Sequence, residues 1–573
     1  MIEQNGGGEA GAAFTELAMR YLDDRARRHP DVATALGDHR FDAHLPDLSP
    51  AAYDAERRAI DGFAARLGDI DTGALGPENR ADAGILHNAL RQRMFELDEL
   101  REHTWNPLIS NPGRAIHGLL VRDFAPLPER LASVAGRLGQ TPALLASARA
   151  LLGPMPKVHL ETAAGQFTGT IGLVTDEVDA ALQLAPECAA QIEAVRPAAL
   201  DALREHRAWL AAKLEAGTAG NGFAEPRIGA ELFARKLSLT LSAQSDSGAI
   251  LARAEADLDR ISEEIARLAA ELAGPVSAGT MSAGTGSAGR DGDAVVRQVL
   301  DRLGQDAPTD ENILALCRDA LTAQTAFVEE RRIVTVHDDP VEVIEMPEVD
   351  RGVAVAYCDS PGALEAVLMP TFIAVSPTPA GWTPERVASF YREYNRHMLQ
   401  GLMIHEAMPG HYLQLQHSRR FSGGSTPVRA ALRSGSFVEG WAVYVERIMT
   451  EHGYPGEGDP RQVRMQQLKM QLRMTINAIL DARVHAHGMA EAEAMALMTG
   501  RGHQEESEAA GKWRRALLSS AQLSTYYVGY TEVSDLAAEL KAAGPDLPER
   551  EIHDRMLAHG SPPVRYLRPL IGH

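Results

Sequence analysis

The segment His405-Glu406-Ala407-Met408-Pro409-Gly410-His411 carries two imidazoles and a carboxylate, the groups that bind a divalent metal and move a proton beside it. In the common HExxH arrangement the histidines lie at i and i+4, about 40° apart around a helix, so both face one ion. Here the spacing is i, i+6, and six steps of roughly 100° put the second side chain about 120° from the first. A straight helix cannot aim both at one metal. Pro409 cannot donate to the carbonyl of His405 and its ring crowds that turn, while Gly410 tolerates the angles of a bulge. The inserted pair therefore predicts a distorted helix that brings His411 back toward His405. Given 20 His and 78 acidic residues in 573, about 0.1 such matches arise by chance in a chain of this composition. A lone His is more often bonded to a backbone carbonyl, so the motif needs support from elsewhere.

That support begins at Ser436, where Ser436 to Glu446 reads as a helix with Phe437, Trp441, Tyr444 and Ile448 along an apolar stripe. Glu439 and Glu446 are seven residues apart and share the neighbouring face. A catalytic zinc takes three protein ligands and leaves a position for water, and two His plus one Glu is a known set. Glu439 is the third ligand on this reading, since a carboxylate between Val438 and Trp441 is partly buried and needs a metal or a partner. Glu406, next to the first ligand, points beside the metal and is placed to act as general base. Zinc lowers the pKa of its water toward ~7, which a neighbouring carboxylate can deprotonate. Without a metal, both glutamates read as ordinary helix carboxylates.

The segments HEAMPGHYLQ and FVEGWAVYVER, the helix ending Asp481-Ala482-Arg483-Val484-His485, the stretch Gln522 to Gly529 and the tail Ile552-His553-Asp554 to Gly560-Ser561-Pro562 together resemble the bacterial domain of unknown function 885 family over nearly the whole chain. That family is similar to the helical gluzincin peptidases. The resemblance implies a mainly α, gluzincin-like metallopeptidase fold with a deep central channel and a small β-sheet next to the metal helix. It implies His405, His411 and Glu439 as zinc ligands, Glu406 as base and Tyr526 as donor to the developing oxyanion. A core aromatic beside Tyr527 and Tyr530 is the equal alternative for Tyr526. Asp481 and His485, four residues apart, form an outer-shell pair or a plain helix-surface pair, and Glu446 joins the outer shell. The chain departs from the family at Arg483, at Ser520-Ala521 and at Tyr412; these positions leave the metal set intact and bear on substrate preference.

Long amphipathic patterns must position these groups. Leu251, Ala254, Leu258, Ile261, Ile265, Leu268 and Leu272 mark one helix between Ser245 and Leu272, and weaker patterns cover Phe14 to Arg28, Ala81 to Glu102, Leu127 to Leu152 and Ala189 to Leu214. Arg332 to His337, Val353 to Tyr357 and Thr371 to Ser376 read as strands just before the metal motif. By analogy with gluzincin sheets, Phe372, Ile373, Ala374 and Val375 are candidates for pairing with a substrate backbone, or else a purely structural edge. The Gly, Ser, Ala and Thr tract from Gly274 to Gly292 reads as a long surface loop inside a single catalytic unit of residues 14–573, with a break between two lobes as the alternative, preceded by a disordered tail of residues 1–13.

A formal charge of −21 excludes nucleic acid and anionic membranes as partners. The first residues lack a charged and apolar leader, no run of about 18 apolar residues occurs, and three widely spaced cysteines fit reduced thiols. These features suggest a cytoplasmic protein. The expected function is zinc-dependent hydrolysis of small-peptide amide bonds. The alternatives are another C–N bond of small-molecule metabolism, or metal binding without catalysis.

Overall fold

A computed structural model describes residues 8–274, 288–346, 355–379, 381–421 and 423–572. Most of the described chain is helical, with one small sheet. Two compact units emerge. The first comprises Met1–Ile228 with the returning segments Pro361–Met369 and Gly424–Leu432; the second comprises Gly229–Ser360, Pro370–Gly423 and Arg433–His573. Every candidate site residue belongs to the second.

The first unit opens with α1 (Gly8–Arg28). This helix takes in residues 8–13, which sequence assigned to a disordered tail; residues 1–7 lie outside the described ones. The unit's core gathers Leu138, Leu145, Phe167, Val174 and Leu203, all fully buried or nearly so. The helical pattern from Ala189 to Leu214 is in fact two helices, Ala189–Glu193 and α2 (Arg196–Ala216). Pro197 at the start of the second cannot donate backward, which explains the break. The returning segment 424–432 is fastened by ion pairs: buried Arg429 donates to Asp82 at 2.6 Å and pairs with Glu78 at 2.6 Å.

In the second unit the predicted amphipathic helix appears as α3 (Ser247–Ala273). The Gly-rich tract that follows lies outside the described residues over 275–287. A three-stranded sheet of β1 (Val341–Glu345), β2 (Ala356–Asp359) and β3 (Thr371–Val375) has the order β1-β3-β2, parallel on one side and antiparallel on the other. Of the predicted strand Val353 to Tyr357, residues 353 and 354 lie outside the described ones. Arg332 to His337, also expected to be a strand, is irregular. Side chains satisfy its backbone instead: Asp554 accepts from the Thr335 N–H, while His553 and His417 bond the carbonyls of Ile333 and Thr335.

Seven helices complete the frame used below: α4 (Arg396–Glu406), α5 (His411–Arg420), α6 (Gly435–Glu451), α7 (Pro460–His487), α8 (Glu506–Leu518), α9 (Ser524–Ala543) and α10 (Glu549–Leu557). Helix α7 buries residues around its whole circumference, including Leu468, Leu472, Ile479 and Asp481. It lacks an amphipathic face because other helices surround it. Phe437, Trp441, Val445 and Met449 of α6 and Val528, Val533 and Leu536 of α9 fill the same interior.

Candidate metal centre

The motif at 405–411 is resolved into two helices rather than one bulged helix. Asn395 caps α4 by accepting from the N–H groups of His397 and Met398, and the helix ends at Glu406. The turn Ala407–Gly410 follows, with a cis bond between Met408 and Pro409, and α5 starts at His411. Gly410 is needed for close packing and not for an unusual φ: its φ is −75°, but a Cβ there would lie 1.9 Å from the carbonyl oxygen of His405. Trp441 of α6 holds the turn by donating its indole N–H to the Pro409 carbonyl at 2.9 Å. The two imidazoles end 4.6 Å apart between ring centroids, at 82° to one another.

Helix α6 supplies the third group. Ser434 caps it, and Glu439 lies just beyond the first turn. Glu439 Oε2 stands 3.5 Å from His405 Nε2 and 3.4 Å from His411 Nε2. Ligands about 2.0–2.1 Å from a tetrahedral zinc stand roughly 3.3–3.5 Å from each other, so these separations are those of two edges of a zinc tetrahedron. Glu439 Oε2 is buried without a hydrogen-bond partner among the described residues. A buried carboxylate oxygen left without a donor is costly, and a cation between the three groups would relieve that cost. The residues present fit zinc.

Glu446, two turns along α6, accepts from His405 Nδ1 at 2.7 Å. That bond fixes the ring so that Nε2 faces the space shared with His411 and Glu439, the usual outer-shell arrangement of a metal-binding histidine. Burial opposes charge on His405, but the carboxylates of Glu439 and Glu446 outweigh it and raise its pKa well above the ordinary value. Burial pushes Glu439 up, yet His411 and His405 together hold it below the ordinary carboxylate range.

Glu406 is positioned by β2, whose Cys358 N–H donates to its Oε2 at 2.9 Å. Burial raises the Glu406 pKa, with His405 and His411 lowering it and Glu439 adding to the rise. The register explains the contact. Ser376 N–H donates to the Val355 carbonyl, so along the antiparallel pair Ala356 and Cys358 turn their N–H and C=O groups away from β3. This overturns the expectation for Phe372, Ile373, Ala374 and Val375: they lie on β3, the central strand, whose two edges are both paired. The outward edge beside Glu406 belongs to β2.

The other expected residues make no hydrogen bond to the triad. Asp481 accepts from the N–H groups of Ala521 and Ser524, each at 3.0 Å, and from Ser524 Oγ at 2.7 Å. His485 Nε2 is bonded to the carbonyls of Ala516 and Ser519. The pair therefore pins the connection between α8 and α9, and neither hydrogen-bonds a triad residue. The Tyr526 hydroxyl accepts from Arg515 at 3.5 Å, its only hydrogen bond among the described residues. Tyr412 bonds the Asp339 carbonyl and takes no part in the cluster.

Sequence reading missed three supports. Gly440 permits α6 and α9 to touch, since a Cβ there would meet Gly529 at 2.2 Å. Trp441 locks the turn, and Cys358 orients the base. The adjacency Glu439-Gly440-Trp441 was the available signal: a ligand, a close approach and a clamp in three consecutive residues.

A mainly helical protein with a two-histidine, one-glutamate candidate metal centre is thus defined. From residue 30 to 571 it matches the family described as "Bacterial protein of unknown function (DUF885)", and the chain belongs to that family. No curated protein matches it. Among solved structures it is similar to a "putative lipoprotein of unknown function" from Shewanella oneidensis, with 30% identity, a TM-score of 0.82 and coverage of 98% of this chain and 100% of that one. It is also similar in fold to a "putative lipoprotein" from Colwellia psychrerythraea, at 17% identity, TM-score 0.75 and coverage of 98% and 99%.

Proposed function

We propose that this protein is a zinc-dependent hydrolase that cleaves the amide bonds of small peptides. The observation that carries this reading is the meeting of His405 Nε2, His411 Nε2 and Glu439 Oε2 at the spacing of zinc ligands, with Glu406 alongside. Zinc, when bound, supplies Lewis acidity that polarises a carbonyl and acidifies water. Glu406 takes the proton of the attacking water and passes it to the leaving amine. The Cys358 N–H holds one of its oxygens and leaves the other for water. Glu446 keeps His405 oriented. The outward edge of β2 pairs with the substrate backbone in the role expected of β3, and Tyr526 donates to the oxyanion from the start of α9. The gluzincin likeness and its channel are part of this proposal.

Retention of a carboxylate beside the ligands favours hydrolysis over metal storage, which needs no base. Peptide-library turnover followed by mass spectrometry tests the reading. Cleavage should stop with chelator and return with zinc, and Glu406→Gln should lose about 10²- to 10⁴-fold in kcat while keeping its metal. Bound zinc with no peptide cleaved by the parent would contradict it and point to another C–N bond. Among the described residues no helix is long and apolar enough to cross a membrane. Cell fractionation decides between the cytoplasmic placement we favour and the lipid-anchored one carried in the relatives' names.

A further inference from the structure

The tail motif Ile552-His553-Asp554 to Gly560-Ser561-Pro562 supplies no group to the metal cluster, yet it ends between the two helices that carry His411 and Glu439. Ser561 is fully buried. Its carbonyl accepts from the N–H of Ser434, the cap of α6, at 2.8 Å. Its hydroxyl accepts from Gln414 Nε2 at 2.7 Å and donates to Ser418 Oγ at 3.1 Å, both on α5. One residue therefore holds the helix of Glu439 through its backbone and the helix of His411 through its side chain. His411, Gln414 and Ser418 are spaced i, i+3 and i+7, so the hydroxyl is bound to the face of α5 that carries the ligand. Gln414 lies only about 4.5 Å of helix rise from His411.

A second tie precedes His411, where the Trp441 indole of α6 donates to the Pro409 carbonyl. The same tail braces it. His553 stands edge-on to the Trp441 ring at 5.5 Å between centroids, and its Nε2 accepts from the Tyr444 hydroxyl at 2.9 Å. His411 is thus fastened relative to α6 both before and after its place in the chain. The backbone presenting Ser561 is stiff: Gly560 has φ 77°, a left-handed conformation that favours glycine, and Pro562 and Pro563 follow. Ligands roughly 3.3–3.5 Å apart suit an ion held at about 2.0–2.1 Å, and a wider gap between α5 and α6 would suit a larger one.

We infer that Ser561 is a positioning residue of the metal centre: by bridging α5 and α6 it sets the separation of His411 from Glu439, and with it the preference for an ion of the size of zinc. The inference rests on the metal centre of the hydrolase reading and deepens it.

The test measures zinc and cadmium affinities of the full-length protein by competition with a chromogenic chelator. The visible spectrum of the cobalt-loaded protein and the melting temperature of the metal-free protein are read alongside. Ser561→Ala keeps the carbonyl bond to Ser434 and frees α5 alone. It should weaken zinc about 10-fold, weaken the larger cadmium ion less, and shift the cobalt absorption bands. Gln414→Met removes the same bond from the other side and should act alike, and the two changes combined should add little to either. The double variant strands no amide donor, so its melting temperature should lie closer to the parent's than that of Ser561→Ala, with zinc affinity still low. Parent-like affinities and cobalt spectrum in Ser561→Ala, or zinc affinity that recovers together with stability in the double variant, overturns the inference. If Ser561→Ala does not fold, Gln414→Met decides by the same readings. Variants that match a zinc-binding, peptide-cleaving parent sink this inference and spare the hydrolase reading. Weakened zinc in the variants of a parent that cleaves no peptide does the reverse.

Discussion

Asp481 and Glu439 sit on two helices packed against each other, α7 and α6, yet their surroundings are opposite. Asp481 is fully buried and receives three hydrogen bonds, from two backbone N–H groups and one hydroxyl. Glu439 keeps 27% of its side chain accessible, and its Oε2 stands 3.5 and 3.4 Å from the Nε2 atoms of His405 and His411 and receives no hydrogen bond from backbone or hydroxyl among the described residues. A saturated carboxylate is a fastening. An unsaturated one between two histidines is a ligand in waiting. Both belong to segments that resemble the family, so motif membership alone does not separate structural from functional acids; the count of donors does.

The contrast breaks first at Glu439. Glu439→Ala should weaken zinc binding by more than the ~100-fold that an outer-shell partner contributes while leaving the melting temperature of the metal-free protein close to the parent's. Asp481→Ala should do the opposite, costing about 3 kcal/mol of stability by stranding buried donors at the start of α9, with zinc affinity of the folded fraction retained. Calorimetric zinc titration paired with chemical denaturation reads both. Loss of zinc in the Asp481 variant alone would erase the distinction. Glu446→Gln sharpens it, since that carboxylate touches a ligand and not the metal space: zinc affinity should fall about 10- to 100-fold, with stability nearly unchanged.

Histidines divide the same way, and here pH is the probe. His206 in the first unit is fully buried against Phe167 and Trp209, with both ring nitrogens lacking hydrogen bonds. Burial, aided by the charge of Arg149, pushes its pKa down to about 4. A histidine lowered on folding contributes stability that is complete above about pH 6.5 and is lost as pH falls toward 4. The loss is about 1 kcal/mol by pH 5.5, and His206→Leu should flatten the slope measured by urea denaturation between pH 7 and 5. His405, flanked by carboxylates, shifts the other way.

Much of the site was legible because its chemistry is local in sequence. His405, Glu406 and His411 fall within one heptapeptide, and the seven-residue step from Glu439 to Glu446 put both carboxylates on the face that meets His405. Long amphipathic helices were also readable, α3 to within two residues at each end. What stayed hidden depends on partners distant in the chain. Strand order is nonlocal, so nothing in Phe372 to Val375 indicated that β1 and β2 would cover both its edges. The segment 332–337 has strand-like residues but finds side-chain partners more than 80 residues away in α5 and more than 200 away in α10. Pro409-Gly410 announced a break, but the tight packing of Gly410 on the His405 carbonyl decides that the helix stops and restarts instead of bulging.

Zinc content, measured by elemental analysis on the purified full chain and on His405→Ala, His411→Ala and Glu406→Gln, reaches furthest into the proposal. About one zinc per chain should be found in the parent and in Glu406→Gln, and almost none in the two histidine variants. Histidine variants that hold zinc as tightly as the parent, or a parent that takes up none when zinc is supplied, would contradict a metal centre built on these residues.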